Sequence, residues 1–181
     1  MKFSKLGIPG AWLIEPELIR DERGVFRRHF CSREFAAHGL ETAVVQGNVS
    51  ENPWKHTLRG FHYQVVPHAE GKTVFCFSGA LYDIIVDLRP DSPSYLQWVA
   101  VTLDAAARTS LYIPPGCANA YLTMAPDTVV HYYMSETYAP QSYRGFCYND
   151  SFFKFVWPAG PSLISEKDRS YPPYQSAGAC R

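Results

Sequence analysis

Seven consecutive residues, Leu58-Arg59-Gly60-Phe61-His62-Tyr63-Gln64, followed shortly by Gly71-Lys72, hold the side chains best suited to chemistry. A neutral imidazole at His62 can remove a weakly acidic proton from carbon, and the cations Arg59 and Lys72 can hold the negative charge that then appears. In an ideal strand Arg59 and His62 point to opposite faces, because three residues separate them. Gly60 is the signal that this alternation breaks, since glycine inside a strand often marks a bulge. A kink there brings both side chains toward one pocket. The competing readings are a hydrogen-bonded structural histidine at 62 and a solvated lysine at 72.

A second cluster lies in His131-Tyr132-Tyr133-Met134-Ser135-Glu136-Thr137-Tyr138-Ala139-Pro140. Tyr132 and Tyr138 are separated by an even number of positions, so one face of an extended strand can carry both. A phenol can deliver a proton to a carbanion or offer a flat face to a nucleobase. Tyrosine is also an ordinary strand residue, and spacing alone makes neither catalytic. His62, His68 and Glu70, with His131 far downstream, form a loose series without the ligand spacing of a metal site, so no metal is expected. Phosphate-binding glycine motifs, nucleophile elbows and zinc-finger spacings are absent from the sequence.

The elements that must position these residues are mostly strands. A chain of 181 residues is expected to form a single domain over residues 1–181, and its apolar content is ample for a core. Fourteen prolines and twelve glycines, set among aromatic and β-branched runs, predict many short strands joined by turns. Strands are expected at 11–19, 43–50, 57–64, 73–77, 80–88, 94–103, 110–113, 121–124 and 128–135, with a turn at Asp21-Glu22-Arg23-Gly24. One short helix, 33–38, is expected between a Ser32 cap and Gly39. From about residue 158 the chain reads as an irregular strap, loose near Arg181. Strands at this spacing with little helix favour an antiparallel sandwich or barrel.

Seventeen basic and seventeen acidic residues cancel, which argues against nucleic acid or an anionic membrane as partner. Five cysteines without CxxC pairs read as reduced thiols. The first residues lack the apolar run of a signal peptide, and no stretch is long enough to span a bilayer. A soluble cytoplasmic protein is the expectation.

Taken in order, these motifs resemble the dTDP-4-dehydrorhamnose 3,5-epimerase family. The resemblance runs from about Ile8 to Pro172. Besides the segments above it includes Val86-Asp87-Leu88-Arg89, Ser92-Pro93-Ser94-Tyr95, Ile113-Pro114-Pro115-Gly116, Val156-Trp157-Pro158 and Ser165-Glu166-Lys167-Asp168. It implies an all-β fold, a cupin-type double-stranded β-helix or jelly roll with a few short helices. The implied reaction is cofactor-independent inversion at C3, C5 or both of a nucleotide-linked 4-keto-6-deoxyhexose. His62 would be the base, Asp168 its orienting carboxylate, Tyr132 the acid on the opposite sugar face, and Lys72 the cation at the C4 oxygen. Arg23 and Arg59 would contact the diphosphate, Gln46 and Asn48 would be further ligand contacts, and Tyr138 would stack on the base. A homodimer is implied, with the partner's Phe26 region reaching the pocket.

Three positions depart from the family pattern. Asn119 stands in Gly116-Cys117-Ala118-Asn119 where histidine is usual, and an amide can hydrogen-bond a sugar oxygen but cannot become cationic. Ile19 replaces an aromatic beside the nucleobase, and Arg28 replaces a glutamate. The first bears on how many centres are inverted, the others on the nucleotide. The alternatives are therefore a C3-only epimerase, a CDP- or GDP-linked substrate, a non-catalytic sugar-nucleotide-binding cupin, and a metal-dependent cupin enzyme.

Overall fold

The computed structural model describes residues 1–174, so Cys180 and the loose end expected near Arg181 lie outside it. Strands β1 (Lys2–Lys5), β2 (Trp12–Glu15), β3 (Leu18–Asp21) and β4 (Gly24–Arg27) precede helix α1 (Ser32–Ala37). Next come β5 (Gln46–Asn52), β6 (Thr57–Gln64), β7 (Lys72–Ser78), β8 (Ala80–Asp87) and β9 (Trp98–Asp104). The chain continues through β10 (Ser110–Ile113), β11 (Cys117–Thr123), β12 (Thr128–Met134), β13 (Tyr143–Gly145), β14 (Leu163–Ile164) and helix α2 (Glu166–Ser170).

Two sheets face each other as a jelly roll. One runs β1-β2-β10-β7-β12-β5, and the other β13-β6-β11-β8-β9 with β14 added beside β6. All pairings are antiparallel except β14 on β6. Val74, Leu111, Ile113 and Val130 of the first sheet pack against Leu81, Ile85, Leu103 and Cys117 of the second. A second apolar cluster joins Phe61, Ile84, Val86, Ala118 and Ala120 to Phe146 and Phe153. β8 is therefore buried on both faces, which is why its sequence is nearly continuously apolar rather than alternating.

Several expectations needed correction; β9 begins at Trp98 rather than 94, and β11 at Cys117 rather than 121. The strand expected over 11–19 is two strands, because Pro16 lacks an N–H and the chain turns there. β2 enters the first sheet, whereas β3 pairs only with β4 in a separate hairpin. The α1 cap position is Cys31 rather than Ser32, and its side chain makes no capping bond. The region after 158 is not wholly irregular, since Leu163–Ile164 pairs with Thr57–Leu58 and α2 follows directly.

A buried carboxylate ties the 88–97 connection to the end of β8. Asp87 accepts from Arg89 Nε and Nη2, both at 2.8 Å, and from the Ser94 hydroxyl at 2.6 Å. Burial alone would raise its pKa, but Arg89, Ser92 and Ser94 outweigh that and hold it well below the usual carboxylate range. A folded-state pKa below the unfolded one stabilises the fold above the unfolded value, and the gain disappears as pH falls through the folded value. Asp87→Asn should therefore cost about 2–3 kcal/mol at neutral pH, at the low end for a broken buried pair because Arg89 is partly exposed. Urea titrations should show that difference shrinking below about pH 4, where unfolded aspartate takes up its proton.

Candidate active site

Irregular pairing between β6 and β11 places the first functional pair. Asn119 lies opposite His62 and Tyr121 opposite Arg59, so three residues of β6 span the distance of two on β11. That bulge puts Arg59 and His62 on the same face, as the glycine between them implied. Gly60 adopts φ +119°, and a Cβ there would lie 2.5 Å from Ala120 Cβ and 2.6 Å from the Asn119 carbonyl oxygen.

The strap then delivers the carboxylate. Pairing of β14 beside β6 carries the chain to Ser165, which caps α2 by accepting from the Asp168 N–H at 3.0 Å. Asp168 thus points back at β6, where one oxygen lies 2.7 Å from His62 Nε2 and the other accepts from the Gly60 N–H at 3.2 Å. Burial works against its charge, but the His62 and Gly60 contacts prevail and its pKa is lowered. An ionised Asp168 accepts, so Nε2 carries the proton and Nδ1 presents the lone pair.

Both sheets contribute to one cavity of about 420 Å³. Arg59, His62 and Asn119 line it from the second sheet; Gln46, Asn48, Lys72 and Tyr132 line it from the first, and Tyr138 and Asp168 line it from outside the two sheets. His62 and Tyr132 therefore project into the same space from opposite walls. Tyr132 does not share a straight strand with Tyr138, because β12 ends at Met134; the following loop returns Tyr138 to the cavity. Gln46 fixes that loop by accepting from the Tyr138 N–H at 2.9 Å and donating to Asn48 at 2.9 Å. Burial raises the Tyr132 pKa, opposed in part by Arg59, so its phenol holds its proton at neutral pH.

Lys72 is buried, not solvated. Its ammonium meets Glu70 at 3.0 Å, the His62 carbonyl at 3.2 Å and Asn119 Oδ1 at 3.2 Å. The other end of Asn119 donates to Asp83 at 3.2 Å. Asp83 is fully buried, and burial pushes its pKa up to about 8 against the opposing pulls of Asn119 and Lys72. Asn119 thus spans two inward contacts. Arg59 is exposed and lines the cavity, with its Nε donating to Asn52 Oδ1 at 2.9 Å.

Arg23, Phe26 and Arg28 do not line this cavity. Arg23 pairs with Asp21 in the β3–β4 turn, Phe26 is 65% exposed, and Arg28 lies 3.5 Å from Glu34. His68 bonds Ser142 at 2.9 Å, and among the described residues no three metal-ligating side chains gather. Sequence reasoning missed Asp83, Glu70 as a partner of Lys72, and Tyr143. A lone carboxylate within Leu81-Tyr82-Asp83-Ile84-Ile85 was the available signal for the first. Tyr143 begins a three-residue strand too short to announce itself.

The family model described as dTDP-4-dehydrorhamnose 3,5-epimerase matches residues 5–176. A relative of that name from Mycolicibacterium smegmatis is 38% identical over 183 residues, covering 99% of this chain and 89% of its own. The crystal structure of the Bacillus anthracis dTDP-4-dehydrorhamnose 3,5-epimerase with TDP and PPi bound superposes with a TM-score of 0.91 at 35% identity, covering 95% and 98% of the two chains. A 3'-monoepimerase from Streptomyces bikiniensis in complex with dTDP-quinovose gives a TM-score of 0.88 at 32% identity, covering 96% and 88%.

Proposed function

The chain belongs to the dTDP-4-dehydrorhamnose 3,5-epimerase family, and from that premise we propose how its residues divide the work. It is an isomerase that epimerises a nucleotide-linked 4-keto-6-deoxyhexose. Hydrogens on C3 and C5 flank the C4 ketone, so loss of either gives an enolate delocalised onto that oxygen. His62 Nδ1 removes the proton, and the Asp168 carboxylate stabilises the imidazolium that results. Lys72 supplies positive charge at the C4 oxygen as it becomes an enolate. Tyr132 returns a proton to the opposite face and inverts the centre. Arg59 binds the diphosphate, Gln46 and Asn48 contact the ligand, and Tyr138 stacks on the base.

One observation carries this reading. An imidazole backed by a carboxylate and a neutral phenol enter one cavity from opposite sheets, and a buried ammonium lines the same cavity. The nucleotide is dTDP, supported by the dTDP ligands of the similar structures. Inversion at both centres is the primary reading. The C3-only alternative is favoured by Asn119, whose amide cannot take up or release a proton as an imidazole does and is tied to Lys72 and Asp83. Mass spectrometry in heavy water across dTDP-, CDP- and GDP-linked 4-keto-6-deoxyhexoses tests all three points. Two solvent deuterons taken up by the dTDP sugar is the expected result; one deuteron, located at C3 by fragmentation, selects the C3-only reading, and none refutes the epimerase roles. Tyr132→Phe should retain hydrogen exchange at the carbon while lowering inversion about 10²-fold, because only the opposite-face acid is lost.

The protein acts as a single-domain homodimer in the cytoplasm. The β3–β4 hairpin exposes Ile19 and Phe26, and the outer face of the first sheet exposes Val49 and Phe77, an apolar surface suited to a second copy. Arg23, Phe26 and Arg28 would then serve the partner's cavity. Free thiols at Cys31, Cys76, Cys117 and Cys147 support a reducing compartment, and no described helix is long and apolar enough to cross a membrane.

A further inference from the structure

Tyr143 stands inside the cavity with no role in the scheme above. Its ring centroid is 5.3 Å from that of His62 and 5.2 Å from that of Tyr138. It therefore bridges the group that moves protons and the group proposed to hold the base. Lys167 sits over its ring at 4.4 Å, pinning its orientation from α2, the helix that also carries Asp168. Backbone pairing fixes it from the other side, since Tyr143 lies opposite Gln64 and Gly145 opposite His62. Gly145 leaves space that the Tyr171 ring fills, 2.5 Å from where a Cβ would lie, so the tyrosine wall beside His62 is packed and not adjustable.

The hydroxyl of Tyr143 is the unused group. Among the described residues it has no hydrogen-bond partner, nor is it one of the buried atoms shut away without one. Burial first, then Tyr171, Asp168, Tyr138 and Tyr132, push its pKa strongly upward, so it remains a neutral donor that does not repel an anionic ligand. A donor held rigidly in a cavity without a protein acceptor is suited to an oxygen of the ligand.

We infer that Tyr143 is a sugar-recognition residue, its hydroxyl donating to an oxygen of the hexose and its ring packing against the same hexose beside His62. The assignment rests on the proposed dTDP-ketohexose reading and deepens it. Its test uses ligands that bind without turning over. Isothermal titration of dTDP and of dTDP-glucose, which has no ketone, should be run on the wild type and on Tyr143→Phe, which keeps the ring and the packing. The variant should lose about tenfold in affinity for dTDP-glucose, the scale of one lost hydrogen bond, and change less than about twofold toward dTDP. Unchanged affinity for dTDP-glucose overturns the assignment. An equal loss toward dTDP also overturns it, because the contact would then be to the nucleotide. Failure of the wild type to bind dTDP-glucose removes the assignment together with the nucleotide choice. Failure of wild-type deuterium exchange, with the tenfold difference intact, refutes the epimerase roles and leaves sugar recognition standing.

Discussion

Replacing His62 with alanine is expected to lower solvent deuterium uptake at the carbons flanking the ketone by about 10³-fold or more, while affinity for dTDP-glucose stays within about threefold. The expectation follows from what else is available. Of the groups lining the cavity, Asp168 still accepts from the Gly60 N–H and as a carboxylate is a weaker base than an imidazole, Glu70 is paired with Lys72, and Tyr132 and Tyr143 are protonated at neutral pH. None of these can replace an imidazole lone pair at Nδ1. Asp168→Asn should be milder, about 10²-fold, because the amide can still bond the ring but does not stabilise its charged form. Heavy-water incorporation measured under single-turnover conditions reads both. Wild-type rates in His62→Ala would show that some other group is the base, and the proposed division of roles would fail.

The sequence made the strands of the two sheets readable where one face is buried and the other is not. It located β6 and β10 to the residue and the β7–β8 hairpin within one, because apolar periodicity and Ser78-Gly79 bracket them. It misjudged the first strand because residues 11–19 look uniformly strand-like, and only tertiary pairing assigns β2 to a sheet and β3 to a hairpin. The site divides along similar lines. His62 and Arg59 could be joined through Gly60 because the bulge is local. Asp168 is 106 residues from His62, and nothing local predicts that a two-residue parallel strand and a Ser165 cap will aim it. Its role came from family resemblance, as did that of Tyr132. Glu70 was weighed only as a metal ligand, because pairing with Lys72 two residues away depends on how the chain enters β7. Tyr143 carried no sequence signal. Residues whose importance comes from neighbours in the other sheet or in the strap are those that a one-dimensional pattern leaves out.

Gly60→Ala should be the most disruptive small substitution in the fold, because one methyl group strikes backbone that cannot retreat. Its Cβ would lie 2.6 Å from Ala120 Cα and 2.6 Å from the Asn119 carbonyl oxygen, both on the adjacent strand, and φ +119° is a conformation that alanine rarely adopts. Overpacking and backbone strain each cost about 1–3 kcal/mol, so a loss of about 3–5 kcal/mol is expected in urea unfolding. The functional consequence is separate. Relief of the clash requires β6 to move from β11, which breaks the bulge that holds Arg59 and His62 on one face and displaces the Gly60 N–H from Asp168. Folded Gly60→Ala protein, studied well below its unfolding midpoint, should therefore exchange deuterium at least about 10²-fold more slowly than wild type, since a displacement near 1 Å is enough to cost that factor. Ala120→Gly in the same chain removes the 2.5 Å Cβ contact but not the backbone ones, so it should restore only part of the lost stability. An unfolding midpoint and exchange rate both matching wild type in Gly60→Ala would mean that this bulge does not position the base.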